Sequence, residues 1–209
     1  MEQLINNLKN RLKSELPGAE AQYKLAPLNR EKPHEHNYLA QDYRKSAVMI
    51  LFCLDANNQW YIPLIERMAY EGVHSAQISF PGGKHEAHDV DLKHTALREC
   101  DEEIGLSNIE LLGELSDLYI PVSKFLVKPF IGLNLDETPV FKPHPREVNR
   151  VLHLPLNKLL DENLIEWGDV PVQNGMRINV PYIGLESKKI WGATAMILSE
   201  LREVLRTIS

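Results

Sequence analysis

The stretch Phe80–Leu106, FPGGKHEAHDVDLKHTALRECDEEIGL, decides how the chain is read. It opens on a diglycine turn, crosses mixed histidines and acids, and ends with Glu99, Asp101, Glu102 and Glu103 packed together. The spacing predicts a helix over 92–104, with Leu97, Cys100 and Ile104 on one side and Ala96 at its edge as the core-facing stripe. Gly105 stands where such a helix stops. Glu99 and Glu103 lie one turn apart on a different face. Glu102 flanks that surface, Asp101 points elsewhere, and Arg98 is placed four residues before Glu102 to pair with it.

This arrangement is unfavourable for a bare helix. Like charges at i,i+4 cost about 0.2–0.5 kcal/mol, and acids near the C-terminal end oppose the helix dipole. On the helix alone two readings stand: a solvated acidic face, or a site where a hard cation such as Mg²⁺ or Mn²⁺ offsets the repulsion through carboxylate oxygens.

Outward from this stretch, SAVMILFCL (46–54) is a continuous apolar run and reads as a buried strand. DANNQ is a turn signal, and WYIPLIER (60–67) returns as a second strand. QISF (77–80) is a short strand leading into the Pro81-Gly82-Gly83 turn. IELLGEL, FLVKPFIGLNL, EVNRVLHLPL and INVPYIGL read as further strands, KKIWGA as a strand or turn, and 194–207 as a closing helix. Leu4, Ile5, Leu8, Leu12 and Leu16 predict an amphipathic N-terminal helix. Pro17 to Tyr43 reads as an irregular connector, with His34 and His36 as solvated loop residues. Helices before, between and after strands predict an α/β or α+β sandwich.

The 209 residues, 44% hydrophobic and 25% charged, suit one sizeable domain with extensions. The net charge of −6 argues against binding nucleic acid by bulk charge. Cys53 and Cys100 have no CxxC spacing and read as small buried hydrophobes. No run reaches the about 18 apolar residues of a membrane span, and the N-terminal residues lack the apolar core of a signal peptide. A cytoplasmic location is the expectation, and a homodimer is left open.

The order Gly83, Asp89, Arg98-Glu99-Cys100-Asp101-Glu102-Glu103-Ile104-Gly105-Leu106 resembles the signature of the Nudix hydrolases, G-x5-E-x7-R-E-U-x-E-E-x-G-U, with U a bulky apolar residue. Asp89 stands where that signature has Glu, and the loop to Arg98 is one residue longer. The longer loop, and Lys84, Asp89 and Asp91 within it, resemble the coenzyme A diphosphatase branch. So does RMAYEGVHSAQISFPGG (67–83), which keeps Arg67, His74, Gln77, Ile78, Phe80, Pro81, Gly82 and Gly83 of that branch's upstream motif. It departs at Met68, Glu71 and Ala76, where Ser, Leu and Gly would be expected.

The resemblance covers residues 45–205 and leaves 1–44 as an N-terminal helix and connector. It implies a Nudix-type α/β/α sandwich with a mixed sheet. It also implies a Mg²⁺- or Mn²⁺-dependent hydrolase cutting the diphosphate of coenzyme A or its thioesters, giving 4′-phosphopantetheine and adenosine 3′,5′-bisphosphate. The alternatives are a Nudix diphosphatase for ADP-ribose or a dinucleotide, and a non-catalytic Nudix-fold binding module. Glu99 and Glu103 are the leading metal ligands, with Glu102 a further one. Arg98 orients Glu102. The general base is open between Glu102, Glu103 and Glu147, the last of which also reads as a surface strand residue. Arg67, His74, Gln77, Gly83 and Lys84 are substrate candidates, and Lys124 and Lys128 lie where the branch has functional positions. Trp191 reads as core.

Overall fold

The apolar run beginning at Ala47 has side chains buried on both of its faces, and this sets the layering in the computed structural model of the protein. The structure describes residues 2–28, 30, 42–68, 77–172 and 176–208. Strand β1 (Arg44–Leu54) sends Ala47, Met49, Leu51 and Cys53 to one side, against Ala96, Cys100 and Ile104 of a helix. It sends Ile50 and Phe52 to the other side, into a larger cluster with Leu198 and Leu201 of the last helix. A strand covered on both faces carries no polar alternation, which is why the run is unbroken.

Around β1 lie β2 (Trp60–Arg67), β3 (Ile78–Ser79), β4 (Gly82–Lys84), β5 (Ile109–Glu114), β6 (Leu118–Ile120), β7 (Phe125–Asn134) and β8 (Val148–Pro155). β1 runs parallel to β7 from Arg44↔Phe125 to Phe52↔Leu133. Its other edge is divided. β2 pairs with it antiparallel at Cys53↔Tyr61, and β4 pairs with it antiparallel at Val48↔Gly82 and Ser46↔Lys84. β3 and β8 extend the sheet from β2, and β5 and β6 from β7. The sheet is therefore mixed, as expected. A second, antiparallel sheet of β9 (Ile165–Pro171), β10 (Arg177–Leu185) and β11 (Lys188–Ile190) joins the core through Ile183, Leu185 and Ile190.

Helix α3 (Leu92–Ile104) covers one face of the large sheet, and α5 (Gly192–Arg206) covers the other. Also on the α5 side are α1 (Glu2–Arg11), α2 (Gly18–Gln22) and α4 (Leu156–Leu160). The connector expected after Pro17 is thus partly helical. Ile5, Leu8, Leu25 and Ala26 sit in the same core cluster as the sheet, so the N-terminal segment is packed into the sandwich. Glu200 of α5, fully buried, secures it by accepting from Gly18 N (3.1 Å), Gln22 Nε2 (2.8 Å) and Ser116 N (3.2 Å). Trp191, expected in the core, is only half-buried and forms the N-cap position of α5.

Candidate active site

The site forms where β2 and β4 share the edge of β1, because the C-terminal turns of α3 lie directly over the diglycine. Two local signals set α3. Asp91 caps its start, with Oδ1 accepting from His94 N at 2.8 Å. Gly105 ends it at φ 73°, a left-handed C-cap that a side chain would disfavour.

Gly82 is required by packing. It pairs with β1 at φ 154°, and a Cβ there would fall 2.4 Å from the carbonyl oxygen of Ala47. At Gly83 a Cβ would meet the Glu99 carboxylate at 2.3 Å, so that carboxylate lies against the bare backbone of the turn.

Glu103 is the most enclosed of the acids on α3, 1% exposed. Its Oε1 accepts from Arg67 Nη1 at 2.7 Å and its Oε2 from Gly82 N at 2.8 Å. Arg67 Nη2 donates to the Gly82 carbonyl at 2.7 Å. Burial pushes the Glu103 carboxyl up to about 7 despite the Arg67 guanidinium and the Gly82 amide, and the Glu99 charge adds to the rise. Burial raises Glu99 as well, against the opposing pull of Arg98.

Arg98 is tied more broadly than its spacing from Glu102 suggests. Its first partner is Asp89, reached by Nε to Oδ1 at 2.9 Å and Nη2 to Oδ2 at 3.0 Å. Nη1 then reaches Glu102 at 2.9 Å, as expected, and Glu99 at 3.0 Å. Asp89 is fully enclosed and also accepts from Glu86 N and Thr95 Oγ1, with His94 Nδ1 at 3.0 Å. The Arg98 guanidinium and these further contacts hold its carboxyl well below the usual range. The longer loop with Asp in place of Glu thus closes on its own buried anchor.

Of the other sequence candidates, Glu147 borders the site. Its carbonyl accepts from Met68 N at 2.8 Å and its exposed carboxylate lies 3.4 Å from His144 Nδ1. His144 N in turn donates to the Glu103 carbonyl at 2.9 Å. Gln77 accepts from Arg67 N through its carbonyl. Lys84 is exposed, and its carbonyl receives Arg98 Nη2 at 3.3 Å. Lys128 is committed to Asp117 (2.7 Å) and Glu114 (3.3 Å), and Lys124 occupies a turn at φ 53°. His74 lies outside the described residues.

Sequence reasoning missed the roles of three residues. Asp91 carried the ordinary signal of an N-cap, an Asp just before the first helical residue. The anchoring role of Asp89 and the approach of His144 had no local signal.

The donor set suits a hard divalent cation: carboxylate oxygens of Glu99 and Glu103, both under-compensated for their burial, with Glu102 beside them. Among the described residues no three His, Cys, Asp or Glu side chains already form a closed metal cage. Glu102 instead faces Arg98, and Glu103 faces Arg67.

The chain is similar to known proteins over most of its length. The NUDIX domain matches residues 43–171. An uncharacterized Nudix hydrolase, NudL, of Yersinia enterocolitica is 30% identical over 175 residues, spanning 83% of this chain and 87% of that protein. NudL of Photorhabdus laumondii is 31% identical over 142 residues, 67% of this chain and 74% of its own length. Among solved structures, a MutT/nudix family protein from Enterococcus faecalis superposes with a TM-score of 0.51 at 16% identity, covering 95% of this chain and 73% of that one. A buried, arginine-held glutamate over a diglycine turn and a family match across more than half the chain lead to one conclusion: the protein belongs to the Nudix hydrolase family.

Proposed function

We propose that this Nudix hydrolase is a Mg²⁺- or Mn²⁺-dependent diphosphatase acting on coenzyme A or its thioesters, with 4′-phosphopantetheine and adenosine 3′,5′-bisphosphate as products. The observation that carries the cation-dependent part is the pair of neighbouring carboxylates, the partly buried Glu99 against Gly83 and the buried Glu103 between Arg67 and Gly82 N. Arg98 and Arg67 offset these charges only in part, since both carboxyls remain raised, so a further cation would be favoured there. The coenzyme A assignment rests on the residues kept in 67–83, with Gln77, Ile78, Phe80 and Pro81 leading into the diglycine.

The cation would be held by Glu99 and Glu103 with Glu102 beside them; when bound, it neutralises phosphate oxygens and makes water a better nucleophile near neutral pH. The chain's own residues do the rest. Arg98 holds Glu99 and Glu102 from one side, so that neither carboxylate swings free when substrate arrives. Gly83 gives Glu99 room that any side chain would take. Lys84, exposed just after the turn, is a cation within reach of an incoming phosphate. Both oxygens of Glu103 already accept hydrogen bonds within the buried site. Glu102 and Glu147 are the accessible carboxylates for proton removal, 57% and 55% exposed in their side chains.

The departures at Met68, Glu71 and Ala76 keep ADP-ribose or a dinucleotide as the second reading. A panel of coenzyme A, acetyl-coenzyme A, ADP-ribose and diadenosine tetraphosphate with Mg²⁺ or Mn²⁺ separates them. Cleavage of coenzyme A to the two named products is expected. Turnover of ADP-ribose with none of coenzyme A rejects the first reading, and turnover of nothing in the panel leaves a binding module.

A further inference from the structure

The sequence offers Arg67 as a substrate contact, and in the fold its guanidinium meets groups of the protein itself. The register of β2 against β8 shifts between Glu66 and Arg67, an irregularity of the kind that re-aims a side chain at a sheet edge. Glu66 goes to Arg150 and Lys188, at 2.8 and 2.6 Å. Arg67 enters the site, and its side chain is only 21% exposed. One end of its guanidinium meets Glu103 and the other meets the Gly82 carbonyl, each at 2.7 Å, while the Gly82 amide closes back onto Glu103 at 2.8 Å. Guanidinium, carboxylate and peptide make a closed ring that joins β2, the diglycine turn and the last turn of α3.

A side chain with both ends committed inside the protein is poorly placed to recognise a phosphate. It is well placed to fix another side chain. We infer that Arg67 is a positioning residue: it sets the orientation in which Glu103 is presented to a divalent cation, and it acts on cation affinity without touching cation or substrate. This rests on the reading of Glu103 as a cation ligand. Outer partners of metal ligands act in this way, and losing one typically weakens metal binding about 10–100-fold.

The test is calorimetric titration of Mn²⁺ into the full chain as wild type, Arg67→Gln, Arg67→Lys and Glu103→Gln, with Tm recorded for each. Arg67→Gln is expected to bind Mn²⁺ at least ~10-fold more weakly, while its KM for the hydrolysed diphosphate at saturating Mn²⁺ stays close to wild type. Arg67→Lys keeps the charge but can reach only one of the two acceptors, so its affinity should fall between. Unchanged Mn²⁺ affinity with a raised KM overturns the inference and makes Arg67 a direct substrate contact. If Arg67→Gln does not fold, Arg67→Lys decides: Mn²⁺ affinity equal to wild type overturns the inference. Glu103→Gln separates the two levels. Wild-type affinity in that variant overturns the ligand reading, and the inference with it; weakened binding there with unchanged Arg67 variants overturns the inference alone.

Discussion

Two buried carboxylates in this protein are each paired with an arginine, and their environments diverge. Asp89 has no exposed side-chain surface and is surrounded by donors: two from Arg98, one from Thr95, one from the Glu86 amide, and His94 Nδ1 at 3.0 Å. Glu103 is equally enclosed but accepts from only two, Arg67 and Gly82 N, and has the negative Glu99 beside it. The first carboxyl is held well below its ordinary value and the second is pushed up to about 7. A saturated buried charge fixes a loop. An under-saturated one retains capacity for a further partner, and that is what a ligand site requires.

The largest expected effect comes from removing the under-saturated charge. Glu103→Gln should lower kcat on the order of 10²–10³-fold, corresponding to several kcal/mol of lost charge stabilisation. Its Tm should fall only slightly: a buried charge is removed, while the Gln amide nitrogen replaces one of the two oxygens that accept from Arg67 and Gly82 N. Steady-state kinetics alongside thermal unfolding checks both halves.

Asp89→Ala should show the reverse pattern. Arg98 keeps Glu99 and Glu102 on Nη1, but its Nε, the Thr95 hydroxyl and the Glu86 amide lose their buried acceptor, which costs about 3 kcal/mol of stability, measured by urea unfolding, with a smaller loss of kcat in the molecules that remain folded. If both substitutions fall chiefly on stability, the contrast between the two carboxylates fails.

How far these roles can be read in the sequence depends on the distance over which each is made. α3 was legible because its stripe, its stop at Gly105 and its acids are all local, and the structure places it at Leu92–Ile104. The Arg98–Glu102 pair was legible for the same reason. The pairing of Arg67 with Glu103 spans 36 positions and leaves no periodic trace. Asp89 showed only as an irregularity in a spacing, because its partners converge through a folded loop. β9 was missed because IEWGDVP carries Gly, Asp and Pro, residues that weaken a strand signal. Its pairing with β10 supplies what propensity does not. The short α2, GAEAQ, has too few residues to show a period, and its place comes from Glu200 on α5.

The acid and neutral limbs of stability sharpen the same contrast. Asp89, depressed in the fold, contributes stability that is present above its unfolded value near 3.8 and is lost as pH falls. Glu103, raised in the fold, works oppositely. Between 4.5 and about 7 the native state holds a proton that the unfolded chain has released, so stability declines across that window as pH rises. The decline is on the order of 3 kcal/mol in cation-free protein. Urea unfolding from pH 4 to 8 should show it, and Glu103→Gln should flatten it. A slope unchanged by Glu103→Gln would assign the decline to other groups.

The smallest effect is expected at Glu102. Its side chain is 57% exposed and its pairing with Arg98 is of the surface kind, so Glu102→Gln should change stability by less than about 1 kcal/mol. Thermal unfolding checks this, and a loss as large as that of Asp89→Ala would erase the distinction between anchor and rim.

Under the proposed function, Glu103 and Glu99 serve cation-dependent diphosphate cleavage. This is tested most directly by phosphorus NMR of coenzyme A incubated with Mg²⁺ and either the wild type or Glu103→Gln. The wild type is expected to give 4′-phosphopantetheine and adenosine 3′,5′-bisphosphate, with no products when Mg²⁺ is removed by chelation and almost none from Glu103→Gln. Equal cleavage by the two proteins, or cleavage that persists in the chelator, would contradict it.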